Sequence, residues 1–107
     1  MPVIRIDFDD KKVKKLEVTA LCKAVQQIVC NVTKIEDVVV YANSSQIAIK
    51  IWPIEIFVQM SAHKIKHVNI LVNAIKSKLA VWKKQESFRH LIILTFTPMD
   101  WKIELGI

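Results

Sequence analysis

Hydrophobic residues recur along this chain with two different spacings, and the alternation between them lays out the fold. Residues 2–8 place Val3, Ile4 and Ile6 among Arg5 and Asp7, which reads as a short strand; Pro2 is tolerated because it stands at the strand's first position. The pair Asp9-Asp10 is expected to open a helix, acting as cap and as partner of its positive end. From Val13 the apolar positions Leu16, Ala20, Leu21, Ala24, Val25, Ile28 and Val29 follow the three-four spacing of one buried helical stripe. Lys11, Lys12, Lys14, Lys15 and Lys23 fall mostly off it.

The spacing then shortens. Thr33 and Glu36 have capping-box spacing, but Val38, Val39 and Val40 are β-branched, so one turn at most is expected before a strand over about 37–42. Asn43-Ser44-Ser45 reads as a loop, and Ile47, Ile49 and Ile51 alternate with polar or small residues in a half-exposed ribbon broken by Trp52-Pro53. Ile54, Ile56 and Val58 alternate with Glu55, Phe57 and Gln59 in a further strand ending at Met60. Ser61 is expected to cap a second helix with Ile65, Val68, Val72, Ile75 and Leu79 on its buried side. A basic connector over 83–89 leads to the apolar run Leu91 to Phe96, read as a central strand stopped by Pro98, and a weakly alternating tail reads as an edge or interface strand.

The predicted class is therefore α+β, in the order β-α-β-β-α-β with an extra ribbon. A mixed four-stranded sheet carries both helices on one face, because helix-bearing crossovers make parallel pairings possible. With 107 residues, a single domain over 1–107 is expected. Two helices cover one face only, so identical subunits are expected to cover the apolar residues of 38–40 and 54–58.

Composition narrows the partners. Apolar runs such as Ile47 to Ile49 and Leu91 to Phe96 fall far short of the roughly 18 to 20 residues of a membrane-spanning helix, so no membrane partner is expected. The opening Met-Pro-Val-Ile-Arg-Ile-Asp lacks the pattern of a secretory leader, which points to the cytoplasm. Sixteen Lys and Arg against ten Asp and Glu give +6, a field that attracts anions of many kinds. Only Arg5 and Arg89 are arginines, however, and neither basic-aromatic alternation nor a recognition-helix motif accompanies the charge. Nucleic acid is not the expected partner, and such binding would fall steeply with salt. The one glycine, Gly106, leaves no room for a glycine-rich cofactor fingerprint.

Met1-Pro2 opening a strand, the first helix, the Val-Val-Val-Tyr41-Ala-Asn43 strand and the Gln46-Ile-Ala-Ile ribbon stand in a characteristic order. Trp52-Pro53-Ile-Glu55-Ile, the second helix and His90 to Pro98 complete it. In that order and spacing, over nearly its whole length, the chain resembles the tautomerase superfamily, which includes 4-oxalocrotonate tautomerase and macrophage migration inhibitory factor, and most closely a bacterial branch of it. The resemblance implies a homotrimer acting without cofactor on a small anionic carbonyl compound. Removal of Met1 would expose the Pro2 secondary amine in an apolar pocket at the subunit boundary, where it serves as the catalytic base. It further implies Lys34, Ser61, His63, Thr95 and Trp101 as substrate-binding residues. No arginine falls in the first helix, where the family commonly holds a substrate carboxylate, so Lys11, Lys12 or Lys34 would serve without a bidentate clamp. A non-catalytic trimer of the same fold is the alternative.

Other residues have plainer readings. Pro2 itself can be a rigid residue at a strand start. His63 and His67 are spaced i, i+4 but lack a third ligand, so no metal is expected. Cys22 and Cys30 read as buried or half-buried thiols. Tyr41 and Trp52 are expected to fill the core or a subunit boundary.

Overall fold

Alternation along the strands and the three-four stripe along the helices create one apolar layer between a sheet and two helices. The computed structural model describes residues 2–44, 52–61 and 68–99, and its elements are β1 (Val3–Phe8), α1 (Lys15–Thr33), β2 (Val39–Ser44), β3 (Ile54–Ser61), α2 (Val68–Gln85) and β4 (Ile92–Met99). The sheet order is β2-β1-β3-β4, with β1 parallel to β2, antiparallel to β3, and β3 parallel to β4. This is the predicted β-α-β-β-α-β mixed sheet with both helices on one side. Among the described residues no helix is long and apolar enough to cross a membrane. The predicted ribbon at 46–51 and the tail beyond Met99 lie outside the described residues.

Ile4, Ile6 and Phe8 of β1 and Ile54, Ile56, Val58 and Met60 of β3 meet Val18, Leu21, Val25 and Val29 of α1 and Ile75 and Leu79 of α2 in one core cluster. Apolar area removed from water on this scale is the main force holding the layers together. Val38 and the residues Ile54, Ile56 and Val58 are thus buried by the chain's own helices, which corrects the expectation that a second subunit covers them.

Four boundaries differ from expectation. Asp9 does not cap α1. Its carboxylate accepts the Lys11 N–H at 3.0 Å and its carbonyl those of Lys12 and Val13, closing a separate turn, and the helix begins five residues later than Asp10. Glu17 reaches back to accept the Lys14 N–H at 3.1 Å, as a residue in the third helical position does in a capping box. Leu16 is 84% exposed, because at 3.6 residues per turn it lies roughly half a turn around from Val25. Among the described residues β4 has β3 as its strand neighbour, and it runs on through Pro98, which pairs in register with Met60. Asn43 and Ser44, expected in a loop, belong to β2. Ser61 is the last residue of β3, and the segment linking it to α2 lies outside the described residues.

Both helices end in a left-handed residue without glycine. Lys34 adopts φ 61° and its N–H donates to the Cys30 carbonyl at 2.9 Å, while Ser87 adopts φ 53° as Phe88 N–H donates to the Lys83 carbonyl.

Candidate functional site

Pro2 precedes β1, and its carbonyl accepts the Val39 N–H at 3.1 Å, so the backbone fixes its place. Side chains alternate across a strand; Val3 points to the open face, and Pro2 therefore belongs to the helix side with Ile4. Carried one step past the paired residues, the two registers set Pro2 between Val38 and Met60, which are 4% and 3% exposed. Pro2 itself is among the fully buried side chains.

The chain reaches Val38 from α1 through Lys34, whose exposed side chain leaves the helix at this same end of the molecule. Gln26 holds the approach by donating its side-chain N–H to the Val38 carbonyl at 3.1 Å. Ser61 extends β3 one register step past Met60. Pro2, Lys34 and Ser61 are thus brought to one end of the sheet. Thr95 is not: it pairs with Phe57 in the middle of β4, on the face away from Pro2. His63 and Trp101 lie outside the described residues.

The face away from the helices forms a grid of three rows. The first runs Val39, Val3, Gln59, Thr97; the second Tyr41, Arg5, Phe57, Thr95; the third Asn43, Asp7, Glu55, Ile93. Arg5 lies over the Phe57 ring at 4.6 Å from its centroid, and its Nε stands 3.4 Å from Asp7 Oδ2. Val3, Arg5, Tyr41, Asn43, Phe57 and Gln59 line a depression of about 220 Å³. Tyr41, expected in the core or at a subunit boundary, is exposed in the single chain.

At the far end of the sheet His90 Nε2 donates to Glu17 Oε2 at 3.0 Å, with Phe88 edge-on to the imidazole. The Lys14 N–H first, and the His90 pairing after it, hold the Glu17 carboxyl below the ordinary carboxylate range. Burial pushes the Cys22 thiol up, which keeps it protonated and poorly nucleophilic. A second depression of about 460 Å³ lies between α1 and α2, with Ala20, Ala24 and Trp82 in its lining. Pro2 lines neither depression. Among the described residues no group of three His, Cys, Asp or Glu gathers at metal-holding distance.

Sequence reasoning passed over Arg5, treating it as an interruption in a strand. The signal was present: Val3, Arg5 and Asp7 are alternate residues, and so are Glu55, Phe57 and Gln59, so two runs of one face were written in the chain.

No protein-family model matches the chain, and no curated protein is similar to it by sequence. Solved structures are similar in fold. A 5-carboxymethyl-2-hydroxymuconate delta-isomerase superposes with TM-score 0.67 at 14% identity, covering 99% of this chain and 89% of that one. A malonate semialdehyde decarboxylase, described with decarboxylase and hydratase activities, gives TM-score 0.72 at 8% identity over 98% and 92% of the two chains. The FG41 malonate semialdehyde decarboxylase gives 0.60 at 20% identity over 98% and 91%. The first two belong to the tautomerase superfamily, and the resemblance read from the sequence holds at the level of the fold.

Proposed function

We propose that this protein is a cytoplasmic, cofactor-independent keto-enol tautomerase, an isomerase in which Pro2, freed by removal of Met1, is the general base on a small anionic carbonyl compound. The observation that carries this reading is the complete burial of Pro2 between Val38 and Met60, at the start of β1 in a fold shared with enzymes. An α-amino group has a reference pKa of about 8, and burial in apolar surroundings disfavours its charged form, leaving a neutral amine near neutral pH. Such an amine takes a proton from the carbon beside a carbonyl. The C–H electron pair moves into the enolate, and the proton returns to another atom of the same molecule, so the net change is isomerisation.

The known structures lend support. One neighbour was studied as a mutant in which its first-position proline is alanine, and another was inhibited by 3-bromopropiolate, a small carboxylate. Lys34 and Ser61, at the Pro2 end, are assigned to substrate binding here, together with His63 and Trp101. Ser61, one register step past Met60, and Thr95, paired with Phe57, both fall at positions of the opposite face, so they would reach the substrate only around the sheet's end or across a boundary with another copy.

Self-association into a homotrimer belongs to this reading. None of the four described strands contains a lysine, although the chain holds sixteen lysines and arginines; among the described strand residues, the open face has Arg5, Asp7 and Glu55 as its charged groups. Lysine depletion with aromatic and arginine enrichment is the compositional mark of a protein interface. The same observation favours the second reading, a non-catalytic trimer serving as an interaction module.

Intact mass of the protein purified from cells, with phenylpyruvate ketonisation followed by ultraviolet absorbance, tests the proposal. Loss of Met1 and loss of activity in Pro2→Ala are expected. A fully Met1-bearing population, or activity surviving in Pro2→Ala, rejects the amine as base and leaves the non-catalytic reading.

A further inference from the structure

The outer side of the helix layer holds a groove that the Pro2 chemistry does not use. Leu21, Val25 and Val29 turn one side of α1 to the sheet, while Ala20, Lys23, Gln27 and Asn31 of its other side are exposed. In α2 Ile75 and Leu79 are buried, and Lys78, Val81 and Gln85 are exposed. The depression of about 460 Å³ between these outer sides has Ala20, Ala24, Ile28 and Trp82 as apolar surface, with Val81 beside them. Phe88 backs the Trp82 indole with ring centroids 5.2 Å apart, so the apolar floor is in place before anything binds. The groove lies on the opposite side of the molecule from the sheet face through which copies are proposed to associate.

Charge narrows what the groove takes. α1 and α2 together hold six lysines against one carboxylate, Glu17, whereas the rest of the chain has ten Lys and Arg against nine Asp and Glu. Glu17 is engaged by the Lys14 N–H and by His90 and does not line the groove. Lys23 and Lys78 do line it; α1 and α2 run antiparallel, so Glu86 stands at the Ala20 end and Lys78 toward Asn31. We propose that this groove docks an amphipathic helix of a partner protein, with apolar residues at i, i+3, i+4 and i+7 on the floor and acidic residues beside Lys23 and Lys78. Ala20 to Asn31 spans about 16 Å, three turns of helix, which accommodates the two turns such anchors occupy. The alanines at 20 and 24 leave room for the incoming backbone, and Trp82 is the aromatic anchor. A bilayer is the poorer fit, since the apolar surface is recessed between two helices rather than raised above the lysines.

Titration of the whole protein with a helical peptide carrying leucines at those four positions and glutamates flanking them tests the site, read from the Trp82 indole and the Ala20 and Ala24 amide resonances. Saturation is expected, with affinity falling about tenfold or more when glutamines replace the peptide's glutamates or when the leucine spacing is broken. Ala20→Phe fills the groove from an exposed position and should weaken the peptide about tenfold; Lys23→Gln combined with Lys78→Gln should do so about fivefold. Absence of saturation, or saturation indifferent to these substitutions, overturns the proposal. So does cosedimentation with phosphatidylserine vesicles that the double lysine variant abolishes while the peptide fails to bind, which would assign the groove to a membrane surface. A fall in assembled mass in Ala20→Phe, read by light scattering, would make a second copy of the chain the occupant and reject a partner helix. Absence of ketonisation in the wild type refutes the Pro2 reading alone and leaves this site standing.

Discussion

The helix side of the sheet and its open face are built from alternate residues of the same four strands, yet they obey different rules. On the helix side Ile4, Ile6, Ile54, Ile56 and Val58 are all fully buried, and the face is apolar at every paired position but Ser44. The open face mixes Val3, Tyr41 and Phe57 with amides, threonines and the Arg5–Asp7 pair. The helices account for the first pattern, since they exclude water from whatever lies beneath them. Solvent alone does not account for the second: a face left to water in a lysine-rich chain would be expected to carry lysines. Exclusion of lysine from all four described strands sets the open face apart from the rest of the chain's surface, as the proposed association of copies requires.

The comparison breaks most directly at its buried side. Ile56→Ala should lose about 2–5 kcal/mol of folding stability in a urea titration, from lost transfer energy and the cavity left behind. Phe57→Ala, one residue along and on the other face, should lose about 1 kcal/mol in the single chain. If the order of the two losses were reversed, the open face and not the helix side would hold the core.

Gln59→Lys sharpens the same contrast by placing a lysine in the first row of the open face. Folding stability should move by no more than about 0.5 kcal/mol, while light scattering should show the assembly shifting toward single chains. A wild type that stays single, or an assembled mass unchanged by the substitution, would reject the open face as the surface through which copies associate.

Beyond the sheet, Glu17→Gln separates charge from shape, because glutamine keeps the acceptor for the Lys14 N–H and removes the charge facing His90. Glu17 has a lowered carboxyl pKa in the folded chain, so its stabilising contribution is full above the unfolded carboxyl's pKa and is lost as pH falls through the folded value. Wild type should therefore exceed Glu17→Gln in stability at pH 7, and the gap should close toward pH 3. A gap that persists in acid would assign the effect to packing. The smallest effect is expected at Leu16→Ser, within about 0.5 kcal/mol, since that side chain already stands in water.

Much of the fold was legible because period is a local property. The stripe through Leu21, Val25 and Val29, and the alternation through Ile54, Ile56 and Val58, each name an element and its buried side from a few consecutive residues. Boundaries were less legible. Asp9 carries the same capping chemistry whether it opens a helix or a turn, and only the path of the backbone to Pro53, whose carbonyl accepts the Asp9 N–H at 3.0 Å, decides between them. The end of β4 was illegible for a related reason: Pro98 can close a strand or continue it, and only its pairing with Met60 decides. Of the candidate site, the place of Pro2 at a strand start could be read, and its burial could not.

The sequence by itself determined the element types, their order and the apolar side of each, because these follow from spacing within a few residues. Only the tertiary structure decided which residues share a row across strands far apart in sequence. It set Arg5 between Tyr41 and Phe57 on one face, and Pro2 between Val38 and Met60 on the other. Register depends on how strands pair through space, and no local pattern carries that information.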